Sequence, residues 1–242
     1  MMTRRLQIVL TSVLALQLSA LCPMKATALQ FSGYEWEVKT GDGLGPGPNN
    51  WSASNVSVDA NGYLHLKITQ MNGKWYSASV KMTQSLGFGK YQFWVIGAID
   101  TLDKNVVLGM FNYSGPDGTN EIDIEVARWG NATGTNLSYA VYPEEDGFDH
   151  TSKKLSFTLT GTYTTHRFTW ESTGVLFQGQ HGHYNDSTNE FARWSFYPED
   201  SSELVPQDPM PVRLNLWLYQ GNPPSNGQPV EVVIRSFTYT PL

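Results

Sequence analysis

Residues 120–130 read NEIDIEVARWG, with carboxylates at Glu121, Asp123 and Glu125 and aliphatic side chains at Ile122, Ile124 and Val126. Strict alternation is the period of a β-strand, in which residues i, i+2 and i+4 share one face. The three aliphatic side chains require a packed interior on their side. The three acids then look together into water or into a groove, against their mutual repulsion. Asp and Glu are disfavoured in strands, and a solvated acidic face is usually interleaved with Lys or Arg. No basic residue occurs between positions 112 and 127; Arg128 is the first.

Two readings of this row compete. One is an exposed strand whose outer face happens to be acidic. The other is catalytic. At about 3.3 Å per residue the Glu121 and Glu125 Cα atoms stand roughly 13 Å apart, and two Glu side chains bending inward bring their carboxyls much closer. A carboxyl gap of about 5 to 5.5 Å suits double-displacement hydrolysis of a glycoside. One carboxylate attacks the anomeric carbon; the other protonates the departing oxygen and then activates water. Asp123 between them adds negative potential, and like charges raise the pKa of at least one carboxyl, which keeps a proton for the acid role.

Outward from this strand the same period recurs. In NVSVDANGYLHLKIT (55–69), Val56 and Val58 alternate with polar residues, DANG supplies a turn, and Leu64, Leu66 and Ile68 alternate on the return. The segments GKYQFWVIGAI (89–99), KNVVLGMFNY (104–113), NLSYAVYP (136–143), KLSFTLTG (154–161), HRFTWES (166–172), GVLFQGQ (174–180), VRLNLWLY (212–219) and VEVVIRSFTY (230–239) continue it. Many short strands between Gly, Asn, Asp and Pro breakers indicate an antiparallel sandwich or barrel. Helical period is nearly absent, with PEDSSELV (198–205) good for one turn. GDGLGPGPNN (41–50) reads as a long surface loop bordering a binding site. No linker, repeat or charge block follows residue 29, which predicts a single domain over 29–242.

The first 28 residues read differently. Arg4 and Arg5 precede the apolar run LQIVLTSVLALQLSAL, and Ala26-Thr27-Ala28 offers small residues at a cleavage site. That is the pattern of a cleaved secretory signal, and it predicts an extracellular or periplasmic protein. The lone cysteine, Cys22, lies inside it, so the mature chain has no disulfide. Without Arg4, Arg5 and Lys25 the chain keeps 13 basic and 22 acidic residues, a net charge of −9. Nucleic acid and anionic membrane surfaces are poor partners for such a chain, whereas a neutral substrate is compatible. Eight Trp and twelve Tyr serve core packing, and such amphipathic rings also stack on the C–H faces of sugars.

EIDIE resembles the Glu-x-Asp-x-Glu signature of glycoside hydrolase family 16. NNWSASNVSVDANGYLHLKI (49–68), FGKYQF (88–93), MFNYSGP (110–116) and RLNLWLY (213–219) are similar, in order, to other strands of that family. The resemblance implies a β-jelly-roll sandwich of two antiparallel sheets, as in concanavalin A-like lectins and glucanases. It implies a retaining endo-glycosidase acting as a monomer on a β-linked polysaccharide, with a β-glucan the expected substrate. By similarity Glu121 is the nucleophile, Glu125 the acid/base, and Asp123 holds the nucleophile and adjusts its charge. Phe111, Tyr113, Tyr142, Asn215 and Trp217 match groove residues of licheninase-like members, and Lys81 matches a basic substrate contact.

The departures matter as well. A single residue, Ile124, separates Asp123 from Glu125, which favours the licheninase and xyloglucan-transglycosylase branch. Thr119 stands where licheninases carry Trp. Arg128 and Trp129 follow the acid/base and either shape a subsite or cap the strand end. Arg235 falls near a position where many members place a calcium-binding Asp on the final strand, and a guanidinium does not ligate calcium; no cofactor or metal is assigned. His166 is out of register with the family's His and takes no role. His181 and His183 fall on a turn that reads as solvated. Transglycosylation, with a sugar hydroxyl replacing water, and non-catalytic carbohydrate binding on the same fold are the alternative functions.

Overall fold

A computed structural model describes residues 28–242; the expected signal segment 1–28 and Cys22 lie outside the described residues, save Ala28. Two antiparallel sheets stack face to face in a jelly-roll sandwich. The first runs, in hydrogen-bonded order, Ala28–Phe31, Tyr34–Val38, Ala78–Leu86, Met210–Leu218, Val106–Tyr113, Glu121–Ala127, Leu137–Tyr142 and Thr151–Leu155. The second runs Glu190–Phe196, Gly174–His181, Tyr163–Glu171, Gly89–Ile96, Val230–Pro241, Leu64–Met71 and Val56–Val58, with Lys74–Tyr76 added to Leu64–Met71. The one α-helix among the described residues is the single turn Ser201–Leu204, inside the segment expected to form one. No helix among them is long and apolar enough to cross a membrane.

The core lies between the sheets. Ile122, Ile124 and Val126 point into it against Leu108, Met110, Leu214 and Leu216, as the alternation of the acidic strand demands. The opposing sheet contributes Tyr91, Phe93, Phe168, Trp170 and Phe177, with Tyr91 stacked on Phe168 at 4.7 Å. Each such side chain, fully buried, contributes about 1.5–3 kcal/mol. This packing fixes register: a slip of one residue in the acidic strand would turn its aliphatic face out and drive three carboxylates into the core.

Three expectations need correction. Of KLSFTLTG, only Lys154 and Leu155 belong to a strand. Beyond them the backbone bonds to side chains instead of a ladder: Phe157 N–H donates to Asn136 Oδ1 at 2.9 Å, and Leu159 N–H to Asp100 Oδ2 at 2.9 Å. Phe157 is buried nonetheless, which explains the misleading alternation. GDGLGPGPNN is not a plain loop; Gly41–Leu44 pairs with Asn49–Trp51 in a short hairpin. The His181–His183 turn is not left to solvent. His183 is sandwiched between Trp94, at 5.2 Å, and Tyr163, at 4.9 Å, and its Nε2–H donates to Val95 O. A guanidinium N–H of Arg235 donates to His183 Nδ1 at 3.0 Å, so the Arg235 charge is spent on this stack. His166 sits fully buried between Phe157 and Phe191, where burial pushes its pKa down to about 3.

Candidate active site

The outer face of the first sheet carries the acidic row on its sixth strand. Register places its partners in successive rungs. Glu125 stands opposite Gly109 on one side and Ser138 on the other, Asp123 opposite Phe111 and Ala140, and Glu121 opposite Tyr113 and Tyr142. One strand further, Gly109 pairs with Asn215 and Phe111 with Arg213. The three acids, Phe111, Tyr113, Tyr142, Arg213 and Asn215 line a groove of about 540 Å³, together with Trp129 and Trp217. The volume is that of an ordinary small-molecule site. Gly45 and Pro46, at the tip of the Gly41–Trp51 hairpin, form part of its wall, as expected for a segment bordering a binding site.

The acidic strand is pinned at both ends by residues in left-handed backbone conformation. Asn120, at φ 52°, donates its N–H to Pro143 O at 2.8 Å, and Asn tolerates this region better than most residues. Trp129 has the same φ of 52° and packs edge-on against Trp217 at 6.2 Å and Tyr219 at 5.5 Å. An indole held in that conformation stores strain of roughly 1–3 kcal/mol, which the surrounding packing must offset. Arg128 turns away and caps the strand end, donating to Gly134 O and Asp100 O at 3.0 Å each. Of the first two residues after the strand's Ala127, Trp129 shapes the groove and Arg128 closes a loop. Thr119 is buried and donates to Pro116 O at 3.1 Å, so no aromatic wall stands at its position.

The three carboxyls share a poorly solvated space. Burial, followed by the charges of Glu121 and Glu125 and a hydrogen bond to Glu121, raises the Asp123 pKa well above its ordinary value. A protonated Asp123 therefore donates to the Glu121 carboxylate. Burial raises the Glu121 pKa to about 7, against the opposing pull of the Asp123 hydrogen bond and the Arg213 guanidinium. Burial and the Glu121 charge raise that of Glu125 to about 8. The Glu125 carboxyl thus keeps its proton at neutral pH while Glu121 is served by a donor and a cation.

The expected substrate contacts divide. Phe111, Tyr113, Tyr142, Asn215 and Trp217 all line the groove. Tyr113 O–H is committed to the turn that follows, donating to Gly115 O at 2.8 Å, and Tyr142 is stacked by His150 at 4.6 Å. Trp217 is 7% exposed, roofed by Trp129, so it acts as a wall more than an open platform. Lys81 lies on the same sheet face opposite Arg213, but it is outside the groove lining and pairs with Glu37 at 3.2 Å.

Sequence reasoning passed over Gly109, Lys39 and Arg213. A Cβ at Gly109 would lie 2.4 Å from Asn215 Oδ1, so the glycine makes room for the Asn215 amide to lie beside Glu125. Asn215 Oδ1, Trp217 Nε1 and Arg213 Nε are buried without a hydrogen-bond partner, all three on the groove side. Arg213 alternates with Asn215 and Trp217 in RLNLW, a pattern that places it on their face. Among the described residues no group of three His, Cys, Asp or Glu is arranged to hold a metal ion.

Comparison with known proteins agrees with this fold. Residues 48–232 match the sequence profile of Glycosyl hydrolases family 16. Among solved structures, the β-glucanase of Bacillus licheniformis superposes with a TM-score of 0.64 at 23% identity, covering 86% of this chain and 92% of that one. A Bacteroides ovatus mixed-linkage glucan enzyme of the same family, solved with a G4G4G3G product, gives 0.63 at 16% identity over 85% and 94%. An immunostimulatory antigen and pseudo β-1,3-glucanase of Mycobacterium tuberculosis gives 0.63 at 19% identity over 84% and 89%. These likenesses establish the shared fold. No curated protein sequence matches the chain significantly.

Proposed function

Because this chain belongs to glycosyl hydrolase family 16 and is a glycoside hydrolase, we propose that it is a secreted, monomeric endo-glycosidase cleaving a β-glucan by retaining double displacement. The observation that carries the reading is the unequal setting of two carboxyls on one strand face. Glu121 receives the Asp123 proton and the Arg213 field, whereas Glu125 has only burial and a like charge and holds its proton. That is the division of labour which retaining hydrolysis needs.

In the first step a Glu121 oxygen forms a bond to the anomeric carbon as the glycosidic C–O bond breaks, and the Glu125 proton passes to the leaving oxygen. In the second, water attacks the same carbon, gives its proton to Glu125, and the bond to Glu121 breaks. Asp123 gives up no proton to solvent; it steadies the carboxylate that attacks and later leaves. Phe111, Tyr142 and Trp129 offer rings for sugar C–H faces. The Asn215 amide, which lines the groove, suits a sugar hydroxyl. The β-glucan is suggested by what the structural neighbours are described as cleaving or holding, and secretion by the residue pattern of 1–28.

The test is reducing-sugar release from mixed-linkage glucan, laminarin and xyloglucan, with Glu121→Gln as control and the product anomer followed by NMR. Release of a β-anomer first, lost in the variant, is the expected result. Binding of a glucan with no release would instead favour the non-catalytic reading, and transfer to an added oligosaccharide the transglycosylase reading.

A further inference from the structure

Arg213 is a cation that the other described residues leave without an ion-pair partner. Its Cα pairs with that of Phe111, one rung from Glu121, but its guanidinium leans over the Tyr113 ring with Cζ 4.8 Å from the centroid. Tyr113 is the residue paired with Glu121, so the charge is carried toward the Glu121 end of the row. Among the described residues no carboxylate lies within ion-pair distance of it, and its Nε is buried with no acceptor. Arg213 is half-buried, and even partial withdrawal of a cation from water is costly unless something nearby favours its charge. The anions facing it are Glu121 in the groove and Glu37, whose carboxylate is already engaged by Lys81.

The Glu125 end has no counterpart. Its rung holds Gly109, Asn215 and Ser138. Arg128 is tied to loop carbonyls. Lys39 donates its backbone N–H to Ser79 O, beside Asn215, but its ammonium is turned over Trp51, 4.5 Å from the ring centroid, and donates to Gly45 O. Lys154, opposite Ser138 on the edge strand, is exposed. Around Glu121 itself stand Tyr113 and Asp117 from one side, Tyr142 with its stacked His150 from the other, and Asp123 on its own strand. Arg213 is the one cation among them.

We propose that Arg213 is a positioning residue that favours Glu121 over Glu125 as the attacking carboxylate, by holding a half-buried positive charge at the Glu121 end of the row. This rests on the reading that Glu121 is the nucleophile. The two glutamates share strand and face, and the Asp123 hydrogen bond already distinguishes Glu121 from Glu125. Proximity to the guanidinium adds to that difference. It favours the ionised form of the nearer carboxyl and does little for the farther one.

The pH profile of kcat/KM on soluble mixed-linkage glucan tests this with Arg213→Met, Arg213→Gln and Arg213→Lys. In the methionine and glutamine variants the acid limb, which reports ionisation of the nucleophile, is expected to move up by about one pH unit. The alkaline limb stays in place, KM is nearly unchanged, and lysine restores most of the wild-type profile. A raised KM with both limbs unmoved would make Arg213 a substrate contact and overturn the inference. A lowered Tm with an unaltered profile in the surviving enzyme would reduce it to a structural residue. The parent reading is checked separately: azide added to Glu121→Ala should restore turnover as an α-glycosyl azide. Rescue of Glu125→Ala with that product, and none of Glu121→Ala, would remove Glu121 as nucleophile and this role with it.

Discussion

The two sheets each bury a polar cluster on their outer face, and the two are built on opposite terms. On the second sheet Arg167, Gln178 and Gln180 lie under the 182–189 loop, and the loop exists in part to satisfy them. Arg167 donates to Gln180 Oε1, to Tyr184 O at 2.9 Å and to Asn185 O at 3.3 Å. Gln180 donates to Thr188 O at 2.8 Å, and Gln178 to Glu190 at 2.6 Å and Ser187 at 3.1 Å. On the first sheet the Glu121–Asp123–Glu125 row faces an open groove, with Arg213 Nε, Asn215 Oδ1 and Trp217 Nε1 lacking acceptors or donors. Of the Arg167, Gln178 and Gln180 side chains only Arg167 Nε is buried without a partner, and a polar cluster closed this nearly upon its own chain contributes rigidity. One left open at the bottom of a groove lowers stability and waits for a ligand to complete it.

The contrast can be broken most forcefully from the groove side. Glu121→Gln and Glu125→Gln are each expected to lower kcat by at least about 10²–10⁴-fold with the fold retained, measured by glucan turnover alongside circular dichroism. Arg167→Ala should do the reverse: stability falls by about 2–3 kcal/mol in urea unfolding, as charged hydrogen bonds into the loop are lost, while kcat per folded molecule holds. An Arg167 variant that kept its stability and lost its activity would dissolve the distinction between the clusters.

Subtler changes sharpen it. Gly109→Ala pushes a methyl against the Asn215 amide oxygen, so the amide rotates off Glu125. The expected cost is roughly 10–100-fold in kcat/KM with little change in unfolding free energy. The smallest effect concerns pH. The Glu125 pKa is raised on folding from its usual value to about 8, so between those limits the native state binds more protons than the unfolded chain and stability declines as pH rises. Glu125→Gln removes that decline. Its Tm should exceed the wild-type value at pH 8 by a few degrees, and the gap should close by pH 4.

How far the sequence revealed all this depends on how local each feature is. The acidic row and its apolar reverse are read within seven residues, because alternation and packing act on a single strand. The family resemblance likewise followed from contiguous motifs. Arg213 and Gly109 owe their places to pairing between strands about a hundred residues apart, and no local period encodes which glycine ends beside which asparagine. KLSFTLTG misled for a related reason: its backbone is satisfied by Asn136 and Asp100, side chains supplied from elsewhere. The Glu190–Phe196 strand, which closes one edge of the second sheet, was overlooked although Glu190, Ala192 and Trp194 alternate with Phe191 and Arg193. His183 read as solvated because its two aromatic covers come from Gly89–Ile96 and Tyr163–Glu171, distant in sequence.

On the proposed mechanism two similar carboxyls on one strand do different chemistry, and Glu121 forms the covalent bond. Mass spectrometry after incubation with an activated 2-deoxy-2-fluoro β-glucan oligosaccharide tests it most directly. One glycosyl unit attached to the peptide containing Glu121, with fragmentation mapping it to that residue, is the predicted result. Labelling of Glu125 in its place, or turnover of natural glucan with inversion and no trapped adduct, would contradict the account.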